Sequence, residues 1–579
     1  MEGQFNPSPA LRFGSFELDL RSRELRKGDT LIRLQEQPFE ILRVMLERPG
    51  DVVTRDELRQ RLWPQGTFVD FEHSLNAAVK RLRAVLGDDA DHPTFVETLP
   101  RRGYRFIAPM AAPVEPVRTE SPRLAVLPFT NLSDDAEQDY FADGLTEELI
   151  SQLGRLCRGR VNVIARRSSM AFKGTFQRAR DIAHTLNVRY LLEGSVRRDG
   201  TRVRITVRLV EGSVETELWS DTHDRTVEDW LSVQADVAAH VARSLMVELA
   251  PDQPKSSSPP QTRAYDLYLK ARYLWFQPGD GGLEEAIRVT NEALLIAPDY
   301  AAAHAFHSRL MIGAAEYYRR VPSDALRLAR ESAQRAVALE PTNAEARISL
   351  ADLSRLVDFD WRAAKFGYRD VLSSNPSTEV AHRGYAFLLT VQGRHGDAMR
   401  AADLSREIDP LCLLTSVTAA WTRYMAADYE TAITLCRQTL EMEPTYVGAI
   451  RVMALAYLQV GEAQLAITHL ERAVAVVGRD PQLVATLAHA CGSTGRHAEA
   501  RALASELCGR DQSRYVSPYH VALAYVGVGD MDAAFAALDR AYEERDPHLA
   551  YVMIEPRFES LRSDPRYPLL VAPLRLSTS

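Results

Sequence analysis

The stretch LNAAVKRLRAVLG, residues 75–87, predicts an amphipathic helix whose two faces differ in chemistry. Leu75, Ala78, Val79, Leu82 and Leu86 recur at the spacing of one helical face and predict a core stripe. The opposite face is polar and basic, and it carries His73, Asn76, Ala77, Lys80, Arg81, Arg83 and Ala84. Such a face is either ordinary solvated surface or a surface that binds an acidic partner.

The segments on either side of this helix decide between the two interpretations. Three alternating runs, FGSFELDL, RELRKG and TLIRLQ, predict a small antiparallel sheet, and EQPFEILRVMLERPG and TRDELRQRLWP predict two helices. Thr54 and Glu57 have capping-box spacing at the start of the second helix. TFVETLPRRGYRFIAP then predicts a hairpin with Arg101 and Arg102 at its tip. Three helices followed by a basic hairpin predict a winged helix-turn-helix.

Residues 11–108 resemble the C-terminal effector domain of OmpR/PhoB-type response regulators and of CadC-like regulators. The matching segments are GDVVTRDELRQRLWP, VDFEHSLNAAVKRLRAVLGDD and FVETLPRRGYRF. The resemblance implies that the third helix lies in the major groove of double-stranded DNA and that the hairpin reaches the backbone or minor groove. The DNA-binding residues predicted in this way are Arg55, His73, Asn76, Lys80, Arg81, Arg83, Thr98, Arg101 and Arg102.

The residue types on the third helix suit base and phosphate recognition. Asn pairs with adenine, Arg and Lys pair with guanine or phosphate, and the small Ala77 and Ala84 allow a close approach to the groove. Arg55, at the start of the second helix, is predicted to contact a phosphate. The first 110 residues contain 17 Lys and Arg and 17 Asp and Glu, so this region has no net charge. DNA binding is therefore expected to depend on a few contacts.

Two stretches rich in proline, APMAAPVEPVRTESP and APDQPKSSSPPQT, predict linkers. They divide the chain into a winged-helix domain (1–108), an α/β domain (123–250) and a repeat region with a C-terminal cap (263–579), with linkers at 109–122 and 251–262. The predicted fold class is multidomain: a winged helix-turn-helix (α+β), a small α/β domain and an all-α superhelix. About ten residues precede the first predicted strand, which is too few for the receiver domain of response regulators. The first linker is polar, whereas CadC-like regulators have a membrane span at that place. We therefore expect activation by a soluble signal.

The middle region alternates strand-like and helical segments from RLAVLPF (123–129) to VEDWLSVQADVAAHVARSL. Asp199-Gly200 lies between two alternating runs and predicts a hairpin. The segments LAVLPFTNLSDDAEQDYFADGLTEELISQL and YLLEGSVRRDG resemble the domain related to the N-terminal part of TolB. That resemblance covers residues 122–250 and implies a fold, with a sensory or structural role. His184, His223 and His240 lack metal-ligand spacing, so packing or surface roles are expected for them.

The C-terminal region repeats itself every 34 residues. Turn residues recur at Gly393, Ala427, Gly461, Gly495 and Gly529. Pro376, Pro410 and Pro444 keep the same step. Two amphipathic helices per unit, with small alanines at packing positions, resemble tetratricopeptide repeats, and about eight units fit between residues 263 and 555. The resemblance implies a helical superhelix whose concave surface binds a protein or peptide partner or mediates self-association.

The composition excludes several classes of protein. The net charge of -8 excludes a wholly basic nucleic-acid coat, and the five cysteines have no CxxC spacing that would indicate a zinc site. A secretory signal and an apolar run long enough to cross a bilayer are both missing, so we expect a cytoplasmic protein without membrane contact. P-loop, HExxH and nucleophile-elbow motifs are also missing, and the prediction is a protein that is not an enzyme and binds no cofactor or metal.

Together these observations predict a cytoplasmic, sequence-specific DNA-binding transcriptional regulator. Its α/β domain and repeats are expected to bind a protein, peptide or small-molecule signal, in a signal transduction role. The alternative is an interaction scaffold whose repeats are the main working surface and whose DNA binding is weak or non-specific. One hypothesis for signalling is that the effector promotes a homodimer on DNA.

Overall fold

A four-stranded antiparallel sheet opens the N-terminal unit, residues 1–120, in the computed structural model. Its strands lie side by side in chain order, and the predicted run FGSFELDL is divided between the first two. They are β1 (Leu11–Phe13), β2 (Phe16–Asp19), β3 (Glu24–Lys27) and β4 (Thr30–Ile32). Then follow α1 (Glu36–Glu47), β5 (Val52–Thr54), α2 (Arg55–Leu62), α3 (Phe71–Leu86), β6 (Val96–Leu99) and β7 (Gly103–Phe106).

The structure describes most of the chain but omits the two linkers. The predicted linker residues 109–120 and 251–261 lie outside the described residues, as do Arg101 and the turn residue Gly200. Described are residues 11–13, 16–19, 24–27, 30–32, 34–48, 50–62, 71–90, 93–100, 102–108, 121–133, 135, 138–157, 160–199, 202–226, 230–245, 262–276, 282–317, 319–509 and 515–574.

One core joins the helices and both sheets of the N-terminal unit. The stripe predicted for α3 is confirmed, since Leu75, Ala78, Val79, Leu82 and Leu86 are all buried there. The hydroxyl of Thr54 accepts a hydrogen bond from the backbone N–H of Glu57 at 3.2 Å, which confirms the predicted cap of α2. In the sheet order β5-β7-β6, Gly103 lies so close to β5 that an added Cβ would be 2.0 Å from the carbonyl oxygen of Val53.

The second unit, residues 121–579, begins with a mixed sheet and its helices. The strand order is β10-β8-β11-β12-β13, with β8 parallel to β10 and β11, and with β9 also paired to β11. The predicted hairpin is confirmed, because Asp199 pairs with Arg202 at the antiparallel end of β11 and β12. The elements are β8 (Arg123–Val126), β9 (Thr130–Asn131), α4 (Asp139–Cys157), β10 (Asn162–Val163), α5 (Arg166–Met170), α6 (Ala179–Leu186), β11 (Tyr190–Asp199), β12 (Arg202–Glu211), β13 (Thr216–Thr226) and α7 (Trp230–Ser244).

Eight helix pairs follow within the described part of residues 262–543, and they form the predicted all-helical superhelix. Every one of the five turn residues spaced by 34 has a positive φ, from 61° at Ala427 to 85° at Gly461, which explains the preference for glycine there. The pairs are α8 (Thr262–Trp275) with α9 (Gly282–Ile296), α10 (Ala301–Glu316) with α11 (Pro322–Leu339), α12 (Ala344–Leu353) with α13 (Trp361–Ser374), α14 (Glu379–Val391) with α15 (His395–Ile408), α16 (Leu413–Met425) with α17 (Tyr429–Met442), α18 (Val447–Gln459) with α19 (Ala463–Val477), α20 (Pro481–Ser493) with α21 (His497–Gly509), and α22 (Pro518–Val528) with α23 (Met531–Glu543).

The α/β region and the first repeats share one hydrophobic core. Side chains of α4, including Leu149, pack in the same cluster as Tyr268 and Leu269 of α8 and Phe306 of α10. Gly144 of α4 lies so close to α8 that an added Cβ would be 2.6 Å from a methyl group of Leu269. The two regions that the sequence separates by a linker are therefore packed as one body.

An ionic cluster and a hydrogen-bonded contact reinforce this joint. Glu147 of α4 accepts a hydrogen bond from Arg272 of α8 and lies 3.3 Å from Nε of Arg166 in α5. Burial alone would raise the pKa of Glu147, but Arg272 and Arg166 outweigh it and lower that pKa. Farther along, Ser168 donates hydrogen bonds from its backbone N–H at 2.9 Å and its hydroxyl at 2.6 Å to the buried carboxylate of Asp409.

The residues after the last repeat fold back onto first helices of the pairs, which form the inner face of the superhelix, and also contact α13, a second helix. This C-terminal segment comprises two 3₁₀ helices (Leu549–Met553 and Pro556–Leu561), α24 (Tyr567–Val571) and a last 3₁₀ turn (Ala572–Leu574). The hydroxyl of Tyr424 in α16 donates to Glu555 at 2.6 Å, and the indole of Trp361 donates to the carbonyl oxygen of Leu574 at 3.3 Å. The predicted C-terminal cap thus occupies part of the inner face.

Two observations concern membranes and thiols. In the described part of the chain, every helix falls short of the length and apolar character needed to cross a bilayer. All five cysteines are free thiols; four are buried as expected for core residues, whereas Cys508 is exposed and lies 3.2 Å from the hydroxyl of Tyr525.

Replacement of Glu147 by Gln tests the joint between the α/β region and the repeats. Of the described carboxylates, Arg272 would then keep only Glu345, at 3.1 Å, and Arg166 only Asp143, at 4.0 Å, in a largely buried setting. We expect the free energy of unfolding to fall by about 3 kcal/mol at neutral pH. Because the folded-state pKa of Glu147 is lowered, its contribution is present above the unfolded value of 4.5 and is lost as the pH falls through the folded-state pKa. The difference between wild type and variant should therefore shrink in acid.

Urea unfolding of the full chain, followed by tryptophan fluorescence, measures this effect because five of the six tryptophans lie in residues 121–579. Glu148→Gln is the matched control, since Glu148 is 35% exposed and its ion pair with Arg155 spans 3.7 Å. We expect that control to change the free energy of unfolding by less than about 1 kcal/mol. Equal effects of the two substitutions would contradict the structural role of Glu147.

Candidate nucleic-acid interface

The outward face of α3 presents a short basic surface. Asn76, Lys80 and Arg81 are exposed, as predicted, whereas nothing is described of the side chain of His73. Within the described residues Lys80 makes no hydrogen bond or ion pair, and its ammonium group projects from the helix. Arg81 donates to the side chain of Gln35 at 2.6 Å, which ties this face of α3 to the start of α1. Lys80 and Arg81 are thus the exposed cations of this surface.

Asn76 is held by two donors from neighbouring elements. Its Oδ1 accepts a hydrogen bond from the hydroxyl of Tyr104 in β7 at 2.8 Å and another from Arg55 in α2 at 3.3 Å. Arg55 also donates to the Tyr104 hydroxyl at 3.2 Å, and its guanidinium lies 5.2 Å from the centre of the Tyr104 ring. Three elements therefore fix one polar cluster: the start of α2, the third helix and the hairpin.

This cluster changes the expected role of Asn76. An asparagine that pairs with adenine uses its oxygen as an acceptor and its amide nitrogen as a donor. Here Arg55 and Tyr104 already occupy both lone pairs of the oxygen. The side chain can therefore still donate hydrogen bonds from Nδ2 to a ligand. Suitable acceptors are guanine N7, guanine O6 and a phosphate oxygen.

The prediction that Arg83 lies on the exposed face is wrong. Its side chain is 12% exposed, and it donates to the carbonyl oxygen of Val96 at 2.6 Å and to the hydroxyl of Thr98 at 2.9 Å. Asp88, fully buried at its side chain, lies 3.7 Å from Arg83 and accepts three backbone N–H groups of the loop and strand after it, at Thr94, Phe95 and Val96. The physical reason is that position 83 flanks the core stripe on the side where β6 packs.

The hairpin is positioned by its contacts with β5 and α3. Thr98 uses its hydroxyl to accept the bond from Arg83, while Arg102 is exposed at the tip and its carbonyl oxygen accepts the backbone N–H of Arg55 at 3.3 Å. Arg101 lies outside the described residues. Among the described residues, Arg102 is therefore an exposed cation of the hairpin, and Lys80 and Arg81 are exposed cations of the helix. The hydrogen bond between Arg83 and Thr98 holds these two elements together.

Tyr104 and Asp88 were not among the residues predicted from the sequence. Tyr104 is 2% exposed, so alternation along GYRF predicts its burial but not that its hydroxyl reaches α3. Asp88 follows Gly87, whose positive φ of 68° ends the helix, and an Asp after such a glycine is a recognisable signal for a side chain that bonds nearby backbone N–H groups.

Comparison with known families agrees with this geometry. Residues 28–106 match the family described as "Transcriptional regulatory protein, C terminal". The N-terminal domain is an OmpR/PhoB-type winged helix. Residues 120–240 match the family described as "HilA/YgeH-like transcriptional regulator, second domain". The resemblance of the α/β region to TolB stays a prediction.

Similar proteins cover different shares of the chain. A Rhizobium meliloti protein named as an adenylate cyclase is 35% identical over 264 residues, 45% of this chain and 43% of its own length, so the chain spans less than half of that relative. Transcriptional regulator HilA of Salmonella typhimurium is 21% identical over 442 residues, 74% of this chain and 77% of HilA. Among solved structures, the Klebsiella pneumoniae RstA DNA-binding domain in complex with the RstA box is 28% identical, covers 17% of this chain and 96% of its own, and has a TM-score of 0.16.

The described residues contain no group of three or more His, Cys, Asp or Glu side chains that could hold a metal ion.

Arg83→Met and Lys80→Met separate a positioning role from an exposed one. Loss of the Arg83 guanidinium removes two hydrogen bonds to β6, so we expect amide hydrogen exchange in β6 and β7 to become roughly tenfold faster. Lys80→Met removes a charge with no contact inside the described domain and should leave those rates within about twofold. Hydrogen-exchange mass spectrometry on the full chain measures both, and equal protection in the two variants would contradict the bracing role of Arg83.

Proposed function

We propose that the chain is a cytoplasmic transcriptional regulator that binds DNA in a sequence-specific way through α3 and the hairpin after it. The observation that carries the proposal is the exposed pair Lys80 and Arg81 on α3, beside the fixed cluster of Asn76, Arg55 and Tyr104. A surface that is already ordered binds with a smaller loss of conformational entropy. The match of residues 28–106 to a transcriptional regulator family supports the proposal.

In the proposed complex α3 enters the major groove and the hairpin lies over the adjacent backbone. Lys80 and Arg81 contact guanine or phosphate, the Nδ2 group of Asn76 donates to a base or phosphate acceptor, and Arg102 contacts the backbone. Arg55 lies at the N-terminal end of α2, where a phosphate is also favoured by the helix dipole. His73 and Arg101 remain proposed DNA contacts because of their positions in the sequence. Arg83 and Thr98 act by holding the hairpin against α3.

We further propose that residues 121–579 receive the signal and that the chain carries out no enzymatic step. The shared core of the α/β region and the repeats supports a single receiving body, because a ligand that shifts the repeats also shifts α4 and α5. The second-domain match to HilA/YgeH-like regulators supports the same proposal. The name of the Rhizobium meliloti protein describes that protein, of which this chain spans 43%.

Titration of full-length protein with labelled promoter fragments tests the proposal. Lys80→Ala should weaken specific binding by about 1 to 3 kcal/mol if the side chain contacts a base, and should lower the salt slope by about one if it contacts only phosphate. Arg43→Ala is the matched control, because Arg43 is paired with Glu40 at 2.7 Å on α1 and lies in a different helix. We expect the control to leave affinity and salt slope unchanged.

Two outcomes would contradict the proposed function. Binding to any duplex with equal affinity, abolished by moderate salt, would favour the alternative of an interaction scaffold with non-specific DNA contacts. Unchanged affinity of Lys80→Ala and Arg81→Ala at fixed salt would exclude α3 as the recognition helix.

We propose that two copies of the chain bind neighbouring half-sites about 10 base pairs apart, since winged-helix and related heads align on half-sites one DNA turn apart. Sedimentation velocity of the full chain with and without a promoter fragment should then show two protein chains per duplex. A single chain per duplex at saturation would exclude the homodimer on DNA.

A further inference from the structure

The inner face of the superhelix lines a partly open pocket of about 510 Å³, here called the chamber. First helices of successive repeats form its wall, through residues such as Arg383 of α14, Trp421 of α16 and Arg451 of α18. The C-terminal segment lines its other side with His548 and Tyr551. Because that segment lies on the inner face, the space left is of the size that small molecules occupy.

The wall of this chamber is rich in positive charge. The described lining residues include five arginines and two acids: Arg167, Arg319, Arg355, Arg383, Arg451, Glu316 and Asp480. The carboxylate of Asp480 caps α20, where it accepts the backbone N–H of Gln482 at 2.9 Å. Glu316 lies 3.7 Å from Arg355. Both acids thus have partners in the protein, and the arginines of the wall outnumber them.

Arg383 is a lining arginine with a buried donor, Nε, that has no hydrogen-bond partner among the described residues. Burial opposes its charge, but the carboxylates of Glu379 and Glu316 outweigh burial and raise the pKa of Arg383. A buried, charged donor without an acceptor is unfavourable unless an anion or water supplies one.

The same wall contains aromatic rings next to the cations. Trp421 lies edge-on to Tyr551 with ring centres 5.5 Å apart, and the guanidinium of Arg451 lies 5.3 Å from the centre of the Trp421 ring. Arg355 lies 5.5 Å from the ring centre of Phe387. The pKa of His548 falls to about 3, because burial and then the charges of Arg451 and Arg355 disfavour its protonated form. Aromatic rings and arginines therefore lie side by side in the chamber.

We propose that this chamber binds a small organic anion that carries a planar apolar group, with the anionic group on Arg383 and the planar group against Trp421 and Tyr551. Carboxylate, sulfonate and phosphate share the chemistry that a guanidinium recognises. The inference deepens the proposed function and rests on it for the consequence of binding, since the ligand would be the signal.

Arg167 connects the chamber to the α/β region. It belongs to α5, it lines the chamber, and its neighbour Ser168 holds the buried Asp409 of the repeats. A bound anion would attract Arg167 and Arg383 at once, across the joint between the two regions. Binding thereby stabilises one arrangement of α5 against the repeats, which is the contact through which residues 121–579 would respond as one body.

Anilinonaphthalenesulfonate, a fluorescent planar sulfonate, is the probe for the full chain, and N-phenylnaphthylamine is its uncharged counterpart. We expect saturable binding of the sulfonate at one site per chain. Arg383→Met should weaken that binding about tenfold or more while changing the affinity for the uncharged probe less than about twofold. Arg383→Lys should retain most of the affinity, and Arg501→Met, an exposed arginine on α21, should behave as wild type.

Three results would overturn the assignment of this ligand class. The first is the absence of saturable sulfonate binding, and the second is equal weakening of the binding of both probes by Arg383→Met with an unchanged circular dichroism spectrum. The third is displacement of the probe by hexaglutamate at a lower concentration than by naphthalenesulfonate, which would assign the chamber to an acidic peptide. Failure of the proposed DNA function is separable, since it appears as loss of selective promoter binding while probe binding persists.

Discussion

The contact on which residues 121–579 depend is Glu147 between two arginines, Arg272 of the first repeat helix and Arg166 of the α/β region. Largely buried charges are stable only when they are paired, so this carboxylate fixes α4 and α5 relative to α8. The shared core around Leu149 and Tyr268 forms on the same joint. A module that the sequence presents as a separate domain is thus packed with the first repeats as one body.

The N-terminal domain applies a similar constraint to its polar surface. Arg55, Asn76 and Tyr104 bring three elements to one point, and Arg83 fixes the hairpin to α3. The first 110 residues, which contain this domain, have no net charge overall. Selectivity in such a domain depends on where a small number of donors are held, more than on the attraction between a basic protein and DNA.

Periodic features of the sequence predicted most of the fold. The stripe from Leu75 to Leu86, the hairpin at Asp199 and the 34-residue step of the repeats each follow from local spacing, and the structure confirms them. The direction of the Arg83 side chain was not predictable, because helical spacing places a residue on a flank without showing what packs there. Likewise α5 is only five residues long, and its partner Asp409 lies 241 residues away in the sequence.

The sequence also did not predict that the C-terminal segment folds back onto the inner face. Its anchors, such as Tyr424 with Glu555 and Trp361 with Leu574, join positions more than a hundred residues apart and carry no periodicity of their own. That return adds His548 and Tyr551 to a pocket whose wall also carries five arginines. The chemistry of the inner face therefore became evident only from the tertiary contacts.

The most direct test of the central claim is affinity capture of fragmented genomic DNA, from the organism that encodes the protein, by the full chain, followed by sequencing. Recognition through α3 predicts discrete enriched sites that share a common sequence, and their loss when Lys80 and Arg81 are both replaced by Ala. Enrichment spread evenly over the genome, or discrete sites that persist in the double variant, would contradict it.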